Sequence, residues 1–281
     1  MKKIFVIVGP TASGKSGFAV RLAQHIKGQI VNADSMQIYQ DLSIVSARPQ
    51  ADDLQKVPHH LYGYLDAWTQ GTVQDWLNRV VPLLETLKNP VLVGGTGLYI
   101  SCLINGINDI PDIDPTIREQ VRQMPIPEVI SQLKDCSSTD PQRVRRALEV
   151  QLSTGKPLSY YQSLPKRKMI DADFHVFFIN PPRRLLYENC EKRFYQMIEQ
   201  GGIEEVKHLM TLNPTGGILK AIGVPEIMSY LQGDISKQEM CRRAILSTRH
   251  YAKRQITWFR HQLVANKLIA DPTTFDFSSL S

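Results

Sequence analysis

The sequence predicts an α/β fold: a parallel sheet with helices on both faces, plus a short helical insertion domain. Two patterns carry that prediction. Short β-branched and aromatic runs, residues 4–8, 29–32, 91–93 and 175–179, alternate with stretches of helical apolar spacing, the order of strand and crossover helix in a parallel sheet. From Asp112 the alternation stops, and Pro115, Pro125 and Pro127 punctuate polar helical segments instead. The core is therefore expected at 1–111 and 166–281, with the insertion at 112–165.

Residues 4–8 open into Gly9-Pro10-Thr11-Ala12-Ser13-Gly14-Lys15-Ser16, followed at helical spacing by Phe18, Ala19, Leu22, Ala23 and Ile26 up to Gly28. Strand, Gly-x-x-x-x-Gly-Lys-Ser loop and helix in that order make the core P-loop NTPase-like. Gly9 and Gly14 let the backbone curl until successive N–H groups point at one spot. The helix N-terminus adds partial positive charge there and Lys15 a full one. All eight residues are candidates for binding phosphate or diphosphate. The Ser16 hydroxyl is placed to ligate a magnesium ion held by those phosphates. Which phosphate compound enters is not written in the loop.

The second strand, 29–32, ends in Ala33-Asp34-Ser35-Met36-Gln37, at the edge where open parallel sheets bind ligands. Asp34 can there hold magnesium, take a proton from a nucleophile, or cap a turn. Residues 43–64 show no period and read as a loop-rich connection in which His59 and His60 are structural. An amphipathic helix at 72–87 ends at Asn89-Pro90. After the strand at 91–93, Gly94-Gly95-Thr96-Gly97-Leu98-Tyr99 forms a second glycine turn at the same edge, where Thr96 can bond a phosphate or substrate atom. In the insertion, Asp140-Pro141 supplies the N-cap and first-turn proline of a helix over 142–150, with Arg143 and Arg146 on one face. The strand at 175–179 then leads to a long helix stopping at Gly201-Gly202, a helical segment at 203–212, a Pro/Gly-rich connection at 219–226 and a basic C-terminal helix.

Composition narrows the class. Of the 281 residues 42% are hydrophobic and 21% charged, the balance of a folded globular chain rather than a disordered one. No run of 18 apolar residues occurs and Met1-Lys2-Lys3 enters the first strand directly, so neither a membrane span nor a signal peptide is expected. Cys102, Cys136, Cys190 and Cys241 are far apart with no metal-type spacing, which reads as reduced cytoplasmic thiols. The net charge of +6 has one source: residues 241–262 hold Arg242, Arg243, Arg249, Lys253, Arg254 and Arg260 and no acid. On a helix Arg242, Arg249, Lys253 and Arg260 fall within about 40° of each other, beside an apolar stripe of Ile245, Ala252, Ile256, Phe259 and Leu263. That edge suits a polyanion, or is a solvated face.

Five segments in one order, 9–16, 32–39, 94–99, 140–149 and 248–260, resemble the bacterial tRNA dimethylallyltransferases over nearly the whole chain. The resemblance implies transfer of a dimethylallyl group from dimethylallyl diphosphate to the N6 amine of the adenosine just 3′ of the anticodon, with magnesium as cofactor. It implies a catalytic role for Asp34 as general base, with Lys15 and Thr96. It further implies contacts to the tRNA anticodon stem-loop from Asp34, Ser35, Met36, Gln37, Thr96, Arg118, Gln142, Arg143, Val144, Arg145 and Arg146, joined by Arg249 and Lys253 of the basic helix. A cytoplasmic monomer is expected. Gly223-Val224-Pro225 stands where the family has Gly-Tyr and a basic residue, so the local backbone and the contact of that tyrosine do not carry over; the insertion is short for the family, which implies either a lower tRNA affinity or a grip that rests more on the C-terminal helix.

Two other classes share part of this pattern. A small-molecule or nucleotide kinase accounts for 9–16 and Asp34 but leaves the basic helix without a purpose, as does an enzyme prenylating free adenine nucleotides. A non-catalytic RNA-binding ATPase explains the charge and leaves Asp34 idle.

Overall fold

The structure, a computed structural model, describes residues 1–135 and 138–278; Cys136 and Ser137 lie outside the described residues. The chain divides into two compact units, one of Met1–Ile104 with Ile170 onward and one of Asn105–Met169. The first unit begins with β1 (Lys2–Val8), α1 (Lys15–His25), β2 (Gln29–Asn32), α2 (Ala51–Lys56), β3 (His59–His60), α3 (Val73–Thr86), β4 (Pro90–Gly94) and α4 (Gly97–Asn105). The second unit holds α5 (Pro115–Gln123), α6 (Ile126–Gln132), α7 (Pro141–Thr154) and α8 (Leu158–Ser163). The first unit resumes with β5 (Ala172–Ile179), α9 (Arg183–Glu199), α10 (Gly202–Thr211), a 3₁₀ turn (Gly216–Lys220), α11 (Val224–Leu231), α12 (Lys237–Gln262) and β6 (Lys267–Ile269).

The six strands form one parallel sheet in the order β3-β2-β4-β1-β5-β6. Phe5 and Ile7 of β1 pack on one face with Phe18 and Leu22 of α1, and Ile4, Val6 and Val8 on the other face are equally inaccessible. A strand buried on both faces must be apolar at every position, which is what the uninterrupted run at 4–8 recorded. Val8 pairs with Gly94 and Asn32 with Val93, so β1, β2 and β4 end level. A second core, in which Tyr39 and Leu42 meet Phe194, Val206, Ile227, Met240 and Ala244, packs α9 to α12 together.

Four elements differ from the sequence expectation. Residues 43–64 contain α2 and the two-residue edge strand β3, and β6 adds a second edge strand; all three are too short to show a period. The connection at 219–226 is half helix. Gly223 takes φ +100°, its N–H donates to Glu226 Oε2 at 3.0 Å, and Pro225 sits in the first turn of α11, where no backbone donor is needed. Val224-Pro225 thus starts a helix instead of breaking one.

In the second unit, Val144 and Leu148 of α7 pack against Val121 and Val129. Gln151 ties α7 to the end of α6 through Gln132 O and Lys134 N.

The segment after β2 is anchored from a distance. Glu205 on α10 accepts the N–H groups of Ser43, Ile44 and Val45 at 2.6–2.8 Å and the Ser43 hydroxyl at 2.8 Å. Charge-assisted bonds to three consecutive amides fix a loop that has no regular structure of its own. Glu205→Ala is expected to lower stability by about 2–4 kcal/mol, seen as a lower urea midpoint, while Glu205→Gln recovers part of it.

Candidate active site

The phosphate loop is curled by Ala12 and Gly14, at φ +62° and +85°, with Gly14 capping α1. Gly9 serves a different need: a Cβ there would lie 2.5 Å from the Ile179 carbonyl oxygen of β5. Not every loop amide is free for a ligand, contrary to the expectation of successive N–H groups aimed at one spot. Ser13 N–H donates back to Pro10 O at 3.3 Å, and Thr11 N–H donates to Gln255 Oε1 at 2.8 Å. The first turn of α1, at Lys15 and Ser16, keeps the unpaired amides and the helix N-terminus that suit an anion. Arg193, from α9, donates to the Thr11 hydroxyl and stands beside Lys15. Burial holds the Lys15 ammonium down to about 8; Asp34 pulls it up, and Arg193 lowers it further.

Asp34 is held by the backbone on both sides. Asn32, fully buried at the end of β2, accepts Asp34 N–H at 2.9 Å and donates to Asp34 O and Leu61 O; Trp76 Nε1 fixes the Asn32 carbonyl. Asp34 Oδ1 accepts Met36 N–H at 3.0 Å, which leaves Oδ2 without a hydrogen-bond partner among the described residues. Thr96 closes the other side, accepting Ser35 N–H at 2.8 Å and donating to the Ser35 hydroxyl at 3.1 Å. Its hydroxyl therefore positions the Asp34 loop.

The second glycine turn is a seat, not a phosphate cradle. A Cβ on Gly94 would meet Ala33 backbone at 2.1 Å, one on Gly95 the Gln255 amide at 2.2 Å, and one on Gly97 the Trp258 ring at 2.2 Å. The first contact lets the β2 and β4 loops touch, and the other two let α12 lie on the turn. Gln255, 5% exposed, then donates from Nε2 to Gly95 O at 2.9 Å.

Between these parts lies a cavity of about 300 Å³. Thr11, Asp34, Arg193 and Arg254 give it polar groups, and Met36, Val45, Phe194 and Met197 an apolar wall. Tyr251 also lines it, with a phenol that burial pushes well above its usual ionisation range, so it stays a neutral donor. An adjoining depression is lined by Thr11, Ser13, Lys15, Ser16, Asp34 and Arg193. The arrangement suits a molecule with an anionic head and an apolar tail, next to one carboxylate oxygen able to accept a proton.

The family model for IPP transferase matches residues 37–262. The chain belongs to the IPP transferase family. The tRNA dimethylallyltransferase of Rhizobium etli is 40% identical over 282 residues, spanning 94% of this chain and 95% of that protein. That of Zymomonas mobilis is 43% identical over 92% of this chain and 88% of its own length. Among solved structures, the tRNA isopentenylpyrophosphate transferase of Bacillus halodurans superposes with a TM-score of 0.71 at 31% identity, over 100% of this chain and 93% of that one. A eukaryotic dimethylallyltransferase acting on tRNA shares the fold at a TM-score of 0.83 and 24% identity, over 77% of its chain.

In this IPP transferase the first unit brings together residues 9–16, Asp34, Ser35, Met36, Gln37 and Thr96 at one sheet edge. Gln37 is turned to structure, donating to Ser46 O and Ala47 O. The basic helix α12 is less free than its composition implied. Glu239, two residues before the acid-free stretch, binds Arg242 and Arg243 at 2.7–2.8 Å, and Arg249 is paired with Glu191 of α9 at 2.7 Å. Lys253, Arg254 and Arg260 are exposed and meet no carboxylate among the described residues. In the second unit Arg118, Gln142 and Arg143 are exposed, and Arg146 pairs with Glu149 at 3.4 Å. Two members of that set are corrected: the Val144 side chain is core, and the Arg145 guanidinium is spent on the carbonyls of Val121 and Arg122, clamping α5 to α7.

The sequence reading missed Asn32, Arg193, Tyr251 and Gln255. Asn32 and Gln255 carried a signal, since each is an uncharged polar residue inside an otherwise apolar buried pattern. Arg193 and Tyr251 carried none, because only the folding of α9 and α12 against the sheet edge aims them.

Two outcomes test this geometry. Gly97→Ala drives a methyl group into the Trp258 ring and is expected to lower both the melting temperature and the activity, with Trp258→Ala partly restoring the double variant. Lys15 carries its proton below pH 8 and loses it as pH rises through that value. The part of inorganic diphosphate affinity that Lys15→Met removes is therefore expected to shrink between pH 7 and 9, approaching tenfold per pH unit above 8, in parallel titrations of the two chains.

Proposed function

We propose that the chain transfers a dimethylallyl group from dimethylallyl diphosphate to the N6 amine of the adenosine 3′ of a tRNA anticodon, releasing diphosphate. One observation carries the reading: Asp34, with an unpartnered carboxylate oxygen, lines both the depression of the phosphate loop and the adjoining cavity with the apolar wall, in a chain whose relatives are named tRNA dimethylallyltransferases. No helix among the described residues is long and apolar enough to cross a membrane.

Lys15, Arg193 and the first turn of α1 take the diphosphate, and Met36, Phe194 and Met197 shield the allylic tail from water. Asp34 Oδ2 accepts the proton from N6 as the nitrogen bonds the allylic carbon and the carbon–oxygen bond to diphosphate breaks. An aromatic amine is a weak nucleophile, so this transfer and the fixed Asp34 loop both matter. Lys15 and Arg193 stabilise the charge that grows on the departing diphosphate. The adenine must leave its stack to reach the cavity, as in other enzymes that modify a base.

The described residues contain no cluster of three or more metal-ligating side chains, so no cage made of protein alone is present among them. The Ser16 hydroxyl and the Asp34 carboxylate line the same depression as Lys15, an all-oxygen pair that fits a hard divalent cation completing its shell with phosphate and water. Ser16 and Asp34 would hold magnesium, whose chemistry when bound is to neutralise the leaving diphosphate.

For tRNA, Lys253, Arg254 and Arg260 of α12 serve the phosphates, with exposed Arg118, Gln142 and Arg143 of the second unit as further contacts. Arg249 and Arg146 join them once released from Glu191 and Glu149. A cytoplasmic, monomeric enzyme is consistent with this reading.

Incubation with unmodified tRNA, magnesium and radiolabelled dimethylallyl diphosphate should place label in the tRNA without ATP turnover. ATP hydrolysis stimulated by a small molecule, with no label in tRNA, would replace this reading with a kinase. Asp34→Asn keeps the acceptor for Met36 N–H and removes the base, so kcat should fall about 10²–10⁴-fold with tRNA affinity retained. Lys253→Ala should weaken tRNA binding and flatten its salt dependence by about one unit of slope.

A further inference from the structure

We propose that Gln255 is a positioning residue that sets the separation of the two reacting halves of the site and ties both to the helix that also carries Arg254. The inference rests on the transfer reading above and deepens it. The Gln255 side chain is a single planar amide used at both ends: Oε1 accepts Thr11 N–H at 2.8 Å and Nε2 donates to Gly95 O at 2.9 Å. Thr11 belongs to the loop that takes the leaving group. Gly95 precedes Thr96, whose hydroxyl holds Ser35 beside the base Asp34. No other side chain among the described residues has hydrogen bonds to both loops.

Both bonded groups are backbone and Gln255 is 5% exposed, so no water replaces the amide cheaply if it is lost. Gly95 is matched to it, because a Cβ there would stand 2.2 Å from Nε2. The adjacent Arg254 is exposed and lines the cavity, so α12 presents a cation to RNA one residue away from the amide that joins the loops. A displacement of α12 then moves the diphosphate loop and the Asp34 loop together, preserving the distance over which the allyl group travels.

The test compares wild type with Gln255→Met, which keeps the length and loses both bonds, and Gln255→Glu, which keeps the acceptor for Thr11. Steady-state kinetics, tRNA affinity and thermal melting are measured on each, well below the melting temperature. In Gln255→Met kcat should fall about 10²-fold, as expected for a misplacement of the reacting groups by about 1 Å. KM for dimethylallyl diphosphate and Kd for tRNA should stay within about threefold, because Lys15, Arg193 and the helix cations are untouched. Gln255→Glu keeps the acceptor for Thr11 but sets a carboxylate oxygen against Gly95 O, so it should not restore the rate. A kcat within threefold of wild type in folded Gln255→Met overturns the inference, and so does a loss of tRNA affinity that matches the loss of rate, which would make Gln255 a packing residue. Failure of the wild-type chain to transfer the group at all removes the transfer reading and the inference with it; transfer by wild type with an unimpaired variant removes the inference alone.

Discussion

The level ends of β1, β2 and β4 are the constraint on which the site depends. Parallel pairing sets Val8 opposite Gly94 and Asn32 opposite Val93, so three loops distant in sequence leave the sheet on one line. The Asp34 loop and the glycine turn can then be joined directly through Thr96 and Ser35, and the phosphate loop and the glycine turn through the one amide of Gln255. A slip of one residue would turn the apolar side chains of a strand to the wrong face as well as offsetting its loop, so the core that holds the sheet also holds the site. A site at this edge, where β1 leads to β2 on one side and β4 leads to β5 on the other, follows the general rule for open parallel sheets.

Charge inside the cavity is arranged by proximity more than by number. Asp34 and Arg193 lie close enough to Lys15 to shift it in opposite directions, and burial already disfavours its protonated amine. On the proposed reading, a diphosphate between Lys15 and Arg193 supplies the negative charge that both lack, and the two cations, which repel one another, act on it together.

The parts of the molecule visible in the sequence are those in which a local pattern and its physical cause coincide. The phosphate loop, Asp34 at the end of an apolar strand and the acid-free stretch of α12 are of this kind. The second glycine turn was seen but its cause was not. Its glycines exist because Ala33, Gln255 and Trp258 approach from three sides, and spacing says nothing of neighbours 60 or 160 residues away. Edge strands of two or three residues, such as β3 and β6, fall below any period. Arg242, Arg243 and Arg249 looked free because the carboxylates that answer them lie outside the stretch counted, at Glu239 and Glu191.

That redistribution of charge changes what α12 is. Counted along the sequence it is a cation of six charges; in the fold, Arg242, Arg243 and Arg249 have carboxylate partners and hold the N-terminal half of the helix in place. Three exposed cations without a carboxylate partner among the described residues, Lys253, Arg254 and Arg260, gather in the C-terminal half, beside Gln255, Trp258 and the glycine turn. A helix anchored at one end and charged at the other delivers its field where the cavity opens. Its buried face at that end carries the amide that links the loops, so the proposed recognition of a polyanion and the proposed alignment of the reacting groups would depend on the same few turns of backbone.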